Sequence, residues 1–238
     1  EIGSGLVGSE MCIRDRLKGK KFMEIKDLYN LDETIAKPYL EKYKYPWEVL
    51  SNIKDIIIEI GNNLDSSYTK TDENIWIAKD AKVEKSALIK GPCIIGHNTE
   101  VRHCAFIRGN ALVGDNCVIG NSVELKNVIL FNNVQTPHYN YVGDSILGYK
   151  AHMGAGSITS NVKGNKGLIK INGYETNLKK IGAFLGDYAE IGCNCVLNPG
   201  TIIGKNTQIY PVCSVRGVIS ENSIYKDKNN IVKKEYYE

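Results

Sequence analysis

His138 lies in a segment rich in side chains that transfer protons or bind polar ligands. Residues 134–156 read VQTPHYNYVGDSILGYKAHMGAG and contain two histidines and three tyrosines. Imidazole titrates near neutral pH, so it can take a proton from an amine that attacks an acyl donor. A lone histidine is more often a surface or structural residue, but this segment interrupts an otherwise regular repeat. We therefore predict that His138 is catalytic.

A six-residue repeat of large apolar residues precedes this segment. Its positions are Ile77, Val83, Ile89, Ile95, Val101, Ile107, Val113, Ile119, Leu125 and Phe131. A period of six fits neither a helix nor an alternating strand, and it is typical of a β-helix built from hexapeptides. Three hexads form one coil, and one apolar side chain per hexad points inward. The repeat predicts an all-β solenoid whose stacked coils bury a thin, continuous core.

The repeat changes phase after Phe131. It resumes at Tyr141, Leu147, Met153 and Thr159, as though four residues had been inserted. Because a regular coil has no room for four extra residues, we expect residues 138–141 to bulge from the solenoid. Irregular loops of this kind usually carry function.

A second interruption spans residues 162–184. It contains LIKINGYETN, in which an Asn-Gly pair between two short stretches predicts a β-hairpin. We expect this segment to project from the solenoid as an arm, with lysines that face either solvent or a phosphate.

The flanking segments complete the predicted domain organisation. Residues 1–20 match nothing downstream and are expected to be a non-native or disordered leader. Residues 21–74 have helix-like spacing and predict a short N-terminal helical cap over the open end of the solenoid. The β-helix is expected over residues 75–220, followed by a C-terminal cap or tail at 221–238.

Composition excludes several classes of partner. The 238 residues carry a formal net charge of +3, which gives no reason to expect nucleic acid or an anionic membrane as a partner. No apolar run is long enough to span a bilayer. The seven cysteines lack paired metal spacing, which favours reduced thiols in a cytoplasm. The fourth residue after each apolar position of the repeat is usually small. Four cysteines stand at such positions and are expected to pack there: Cys93, Cys117, Cys195 and Cys213.

The sequence from Gly120 to Asn161 also resembles a known family. GNSVELKNVILFNNVQTPHYNYVGDSILGYKAHMGAGSITSN is similar to the acetyltransferase half of the bifunctional N-acetylglucosamine-1-phosphate uridyltransferase/glucosamine-1-phosphate acetyltransferases. The weaker likeness of the repeat extends over residues 77–218. The resemblance implies a left-handed parallel β-helix of hexapeptide repeats and a homotrimer with sites between neighbouring subunits. It also implies transfer of an acetyl group from acetyl-CoA to the amine of an amino sugar phosphate.

The resemblance further implies roles for particular residues. His138 is expected to be the general base, with no metal at the site. Expected substrate-binding residues are Arg108, Lys126, Tyr141, His152, Asn161 and Lys180, and expected coenzyme contacts are Ala155 and Cys193. His152 stands where the family has an asparagine, Cys193 where it has a serine, and the arm is longer than the family's connection. Glu124 is expected either to orient the site or to be structural.

Two other functions are compatible with the sequence. The first is a non-catalytic homologue that binds a sugar phosphate or nucleotide sugar and regulates a separate nucleotidyltransferase. The second is a zinc hydratase like the γ-class carbonic anhydrases, although His97 and His103 are spaced to lie on different faces of a coil. No nucleotidyltransferase domain is expected, because 76 residues before the repeats are too few to form one.

Overall fold

The computed structural model describes residues 23–235. The predicted leader at 1–20 and the last three residues of the predicted C-terminal tail lie outside the described residues. Among those described, no helix has the length and apolar character needed to cross a membrane.

Short helices come first, and strands follow. The helices are α1 (Ile25–Leu28), α2 (Lys37–Leu40) and α3 (Ile53–Asn62), with single 3₁₀ turns at Leu31–Glu33 and Pro46–Val49. The strands are β1 (Tyr68–Asp72), β2 (Ile75–Ala78), β3 (Lys82–Val83), β4 (Leu88–Ile89), β5 (Cys93–Ile95), β6 (Glu100–Val101), β7 (Phe106–Ile107), β8 (Ala111–Val113), β9 (Val118–Asn121), β10 (Glu124–Leu130), β11 (Gln135–His138), β12 (Tyr141–Leu147), β13 (His152–Met153), β14 (Ile158–Thr159), β15 (Lys170–Ile171), β16 (Tyr174–Glu175), β17 (Ala183–Leu185), β18 (Glu190–Ile191), β19 (Val196–Leu197), β20 (Thr201–Ile203), β21 (Gln208–Ile209), β22 (Ser214–Val215), β23 (Val218–Ile219), β24 (Ser223–Asp227) and β25 (Asn230–Lys233).

Strands one coil apart pair in parallel. Ile77 lies opposite Ile95, and Ile107 lies opposite Leu125, eighteen residues further along the chain in both cases. From Ile95 to Leu125 the side chains of the repeat are buried inside the coils. Phe131 and Tyr141, which the repeat also included, are not the inward residues of their strands; Leu130 and Val142 are. The fold is the left-handed parallel β-helix of hexapeptide repeats that the resemblance implied.

The predicted four-residue insertion at 138–141 is wrong. Thr136 lies opposite Ile119, and Val142 lies opposite Leu125. Ile119 and Leu125 are six positions apart on one coil, and Thr136 and Val142 are six positions apart on the next, so the segment between Thr136 and Val142 keeps the spacing of the coil before it. It does not bulge.

The change of phase comes instead from two corners that are each one residue short. The inward residues Leu125 and Leu130 are five positions apart, and so are Val142 and Leu147. Two missing residues shift a six-residue period as far as four added ones do, so counting along the sequence cannot distinguish them. The corner residues at these places are Asn127 (φ 56) and Asp144 (φ 48), in a left-handed conformation that asparagine and aspartate tolerate.

The helical N-terminal segment is present, but it does not cap the open end of the solenoid as predicted. It lies along one flat face, where α3 packs against β5, β8 and β10. The Tyr29 hydroxyl donates to the carbonyl of Ile146 at 3.4 Å, and the rings of Trp47 and Phe184 are 6.4 Å apart. The reason is a row of outward apolar side chains that needs a cover. The row consists of Ile94, Leu112, Ile129, Ile146 and Phe184, all fully buried.

Antiparallel hairpins occupy both ends of the solenoid. Strand β1 pairs with β2 before the first coil, and β25 pairs with β24 after the last one. They extend the sheets beyond the parallel coils and add local partners for the terminal strands.

The second interruption forms the predicted hairpin, β15 with β16, and its turn residues Asn172 and Gly173 have positive φ. The hairpin does not project as an arm, however. Ile169 and Ile171 are each 1% exposed, and the ring of Tyr174 lies 5.6 Å from that of Trp47. The apolar side chains of the hairpin pack on their own chain, since exposing them to water would cost free energy.

Candidate active site

Pairing of β7, β10, β12 and β14 brings four of the predicted substrate-binding residues to one face. Glu124 lies opposite Phe106 on one side and Tyr141 on the other. Lys126 lies on β10, Arg108 directly follows β7, and Asn161 lies just after β14. Neighbouring coils are about 4.8 Å apart, the usual distance between paired strands. Side chains that are far apart in the sequence are therefore within hydrogen-bonding reach.

Arg108 is held by Glu124. The Nη1 atom of Arg108 donates to Oε1 of Glu124 at 2.6 Å, and both side chains are largely open to solvent. This contact is compatible with both roles that the sequence left open for Glu124, orienting the site or stabilising the structure. Because the pair is exposed, solvent screens it, and Arg108 is free to exchange Glu124 for another anion.

Lys126 is held by Asp144, a residue that sequence reasoning missed. The Lys126 ammonium lies 3.0 and 3.2 Å from the two carboxylate oxygens of Asp144. The amide of Asn127 donates to one of those oxygens at 3.0 Å, and the amide of Asn161 donates to the other at 2.6 Å. An available signal was an acidic residue inside the otherwise apolar stretch YVGDSIL, residues 141–147.

Tyr141 lies along the same face because Gly143 leaves room for it. A Cβ atom on Gly143 would be 2.5 Å from the hydroxyl oxygen of Tyr141. That hydroxyl accepts a hydrogen bond from Asn161 at 3.1 Å. Burial, and then the negative charges of Asp144 and Glu124, raise the pKa of Tyr141. The phenol therefore stays protonated at neutral pH and can donate to a ligand.

A second set of predicted residues is stacked along a neighbouring corner. The carbonyl of His138 accepts from the amide of Gly156 at 3.0 Å, and the carbonyl of Ala155 accepts from the amide of Asn194 at 2.8 Å. His138, Ala155 and Cys193 thus follow one another on three successive coils. The His138 side chain is exposed, and its imidazole makes no hydrogen bond within residues 23–235.

The remaining two predicted substrate-binding residues have no hydrogen bond to the cluster, by which we mean Arg108, Lys126, Tyr141 and Asn161. The Nδ1 atom of His152 lies 2.9 Å from Oε2 of Glu190, on the sheet that contains β11 and β13. Lys180 is exposed, and its backbone bridges to Val162, next to Asn161. Lys180 therefore lies at the base of the hairpin segment, beside the cluster.

The cysteines in the repeat pack as predicted. Cys93, Cys117 and Cys195 are buried, and burial raises the pKa of the Cys117 thiol to about 12. Cys213 is partly buried, whereas Cys193 is exposed. Thiols buried in this way remain protonated at neutral pH and are chemically inert.

The histidines considered for zinc have separate partners. His97 lies between Ser67, 3.1 Å from its Nε2, and Asp80, 2.9 Å from its Nδ1. His103 has Nδ1 2.7 Å from the hydroxyl of Ser86. Among residues 23–235, no three histidine, cysteine or acidic side chains are grouped to hold one metal ion.

Fold and site together define a hexapeptide-repeat protein of the left-handed β-helix class. The bifunctional protein GlmU of Methanococcus vannielii is 32% identical to it over 233 residues, covering 94% of this chain and 55% of that protein. The bifunctional sugar-1-phosphate nucleotidylyltransferase/acetyltransferase of Sulfurisphaera tokodaii is 28% identical, covering 69% of this chain and 47% of that protein. These relatives confirm the resemblance predicted from the motif. The chain spans about half the length of the curated relatives it matches.

Two further comparisons concern parts of the chain. The family model of the GMPPB C-terminal domain matches residues 89–179. The solved acetyltransferase domain of PglB from Neisseria gonorrhoeae, in complex with acetyl coenzyme A, has a TM-score of 0.34 and 16% identity, covering 67% of this chain and 57% of that one.

Proposed function

We propose that this chain is an N-acyltransferase of sugar metabolism. It moves an acetyl group from acetyl-CoA to the amine of an amino sugar phosphate such as glucosamine-1-phosphate, in the cytoplasm. The similarity to proteins named as sugar-1-phosphate nucleotidylyltransferase/acetyltransferases supports this class of reaction. The grouping of Arg108, Lys126, Tyr141 and Asn161 on one face is the observation that carries the proposal, because these are four of the substrate-binding residues that the motif implies.

His138 acts in this proposal as the general base. An ammonium has no free electron pair, so a base must take a proton before nitrogen attacks the thioester carbonyl carbon. The carbon–nitrogen bond forms, the tetrahedral intermediate collapses, and the carbon–sulfur bond breaks. The nitrogen, which becomes cationic on attack, gives up a second proton, and coenzyme A leaves as a thiolate and takes up a proton. The exposed imidazole of His138 has no competing hydrogen bond within the described residues, which supports its availability for this step.

Arg108 and Lys126 bind the acceptor phosphate in this proposal. Charge-assisted hydrogen bonds from these cations to phosphate oxygens are stronger than bonds between neutral groups. Phosphate has to compete with Glu124 for the exposed Arg108. Lys126 is already charged and held in place by Asp144, so it loses less side-chain freedom when the ligand binds.

The active oligomer in this proposal is a homotrimer. The stacked column of His138, Ala155 and Cys193 lies on an outer corner, and a neighbouring subunit there would close a cleft beside the cluster. The hairpin at β15 and β16 packs on its own chain and has no part in the proposed interface. Light scattering at micromolar concentration checks the trimer, and a monodisperse monomer contradicts it.

The test of activity is release of free thiol from acetyl-CoA in the presence of candidate acceptors. Glucosamine-1-phosphate should give thiol, whereas glucose-1-phosphate, which lacks the amine, should give none. Mass spectrometry of the sugar product then confirms the amide. Absence of thiol release with every amino sugar phosphate would exclude this function.

A non-catalytic binding protein is the second candidate. One observation favours it: two cations in the cluster are balanced by two carboxylates, Arg108 by Glu124 and Lys126 by Asp144. The cluster is therefore complete as a stabilising network without a ligand. Calorimetric binding of a sugar phosphate or nucleotide sugar, with no acetyl transfer, would support this candidate over the enzyme.

A further inference from the structure

Asp144 occupies an unusual place in the fold. It lies at one of the two shortened corners, its φ is 48°, and it is 4% exposed. A buried carboxylate loses its hydration, so it has to be compensated by several charged or polar donors. Asp144 obtains these donors from side chains on the coils before and after its own.

Side-chain hydrogen bonds point toward Asp144 from both neighbouring coils. The amide of Asn110 donates to the side-chain oxygen of Asn127 at 3.4 Å, and Asn127 in turn donates to Asp144. From the following coil Asn161 also donates to Asp144. A position that receives donors from both directions requires a side chain that only accepts. An asparagine at this position would turn its own NH₂ group toward one of these donors.

We infer that Asp144 is the residue that positions the acceptor-binding side chains, by holding the Lys126 ammonium and the Asn161 amide in fixed orientations. Asn161 in turn donates to the hydroxyl of Tyr141, so the carboxylate orients that phenol indirectly. This inference rests on the proposed function and specifies how its acceptor subsite is preorganised. Asp144 itself does not contact the acceptor.

A second buried carboxylate shows what a purely structural role looks like. Asp187 pairs with Lys205 at 3.3 Å. The side chains of Asp187 and Lys205 are 3% and 27% exposed, close to the 5% and 26% of the Asp144 and Lys126 side chains. Asp187, however, also accepts from the backbone amides of Asn30 and Tyr149, and so fastens the N-terminal segment to the solenoid. Asp144 instead accepts from side chains. Asn127 also donates to the carbonyl of Leu50 in the N-terminal segment, whereas Lys126 and Asn161 are groups of the cluster that a ligand would meet.

Kinetics of Asp144→Asn test the inference. Asparagine tolerates the left-handed backbone and keeps the size of the side chain, but it removes the charge. The KM for glucosamine-1-phosphate should rise about tenfold or more, the size expected for loss of a charge-assisted hydrogen bond, while the KM for acetyl-CoA stays unchanged. Asp187→Asn should alter neither KM. Equal changes for both substrates in Asp144→Asn would overturn the inference.

A double-mutant cycle distinguishes positioning from general loss of stability. If Asp144 acts through Lys126, then Asp144→Asn in a Lys126→Ala background should raise the acceptor KM by much less than it does alone. Additive effects would contradict this mechanism. If Asp144→Asn fails to fold, Asn161→Ala removes one donor to the carboxylate without changing the corner, and it should also raise the acceptor KM.

Reductive methylation provides a readout that needs no activity. In the wild type, Lys126 should react with formaldehyde and a borohydride reagent more slowly than the exposed Lys82. In Asp144→Asn its rate should rise several-fold while that of Lys205 stays constant, and Asp187→Asn should show the reverse pattern. An unchanged Lys126 rate refutes the inference even if the wild type transfers no acetyl group. A raised rate in an inactive wild type would reject the proposed reaction and retain the positioning role.

Discussion

Replacing the two cations of the cluster by alanine should have very different effects on stability. Lys126 is 26% exposed, and its partner Asp144 is 5% exposed, whereas Arg108 and Glu124 are 45% and 34% exposed. In Lys126→Ala a buried carboxylate loses its only cationic partner within the described residues, and such a loss typically costs about 3–5 kcal/mol. The amides of Asn127 and Asn161 still donate to Asp144, so we expect a loss of about 2–3 kcal/mol.

Arg108→Ala should leave the free energy of unfolding nearly unchanged. Glu124 then returns to water, where it needs no partner, and exposed ion pairs contribute little to stability. Both variants should nevertheless weaken binding of the acceptor by about tenfold or more, since each removes a cation that faces the phosphate in our proposal.

Urea unfolding followed by circular dichroism measures the difference. The Lys126→Ala/Asp144→Asn double variant is the informative control, because its neutral amide leaves no buried charge. It should recover part of the stability lost in Lys126→Ala, although its NH₂ group then faces the amide of Asn127 or Asn161. Lys205→Ala is the matched control at the other buried pair and should also be destabilised. Equal, small losses in Lys126→Ala and Arg108→Ala, or no recovery in the double variant, would refute the assignment of Asp144 as a buried charge.

Further predictions concern the proposed reaction. His138→Ala should lower turnover by about 10²- to 10⁴-fold in the thiol-release assay without changing the melting temperature, because the exposed ring supports no part of the core; full activity would reject His138 as the base. His152→Asn restores the residue of the resembling family, so it should retain activity and shift preference toward glucosamine-1-phosphate among the acceptors tested; a complete loss of turnover would contradict this. Gly143→Ala should displace the ring of Tyr141 and raise the acceptor KM more than the KM for acetyl-CoA, and unchanged kinetics would show that the ring is not needed there.

The sequence predicted the coils because inward packing imposes one large apolar residue per hexad on every strand. It did not predict where the N-terminal helices lie, although a signal was present. Strands β5, β8 and β10 contain three consecutive apolar residues, CII, ALV and VIL, so they are apolar on both faces. A strand of this kind needs a cover outside as well as inside. That pattern would have placed α3 on the flat face rather than at the end of the solenoid.

The site was predictable only where a motif named its residues. Arg108, Lys126, Tyr141 and Asn161 were all named. The structure joins Lys126, Tyr141 and Asn161 through hydrogen bonds that involve Asp144, whereas Arg108 pairs separately with Glu124 on the same face. Asp144 was not named, because its role depends on which residues lie one coil before and one coil after it. The sequence did not show that register, because the phase change of the apolar repeat looks like a four-residue insertion when positions are counted.

The two shortened corners connect the fold to the chemistry of the site. Because each lacks one residue, Asn127, Asp144 and Asn161 follow one another at intervals of seventeen, so their side chains stack at one edge of the solenoid. At a corner of ordinary length, such as that of Asn110, the left-handed residue comes three positions after the inward residue, here Ile107. At the two shortened corners it comes two positions after the inward residue. The irregularity in the repeat thus places no histidine on a bulge. It places an acceptor-only carboxylate between two rows of donors, where it can hold the cation and the amide that the acceptor would meet.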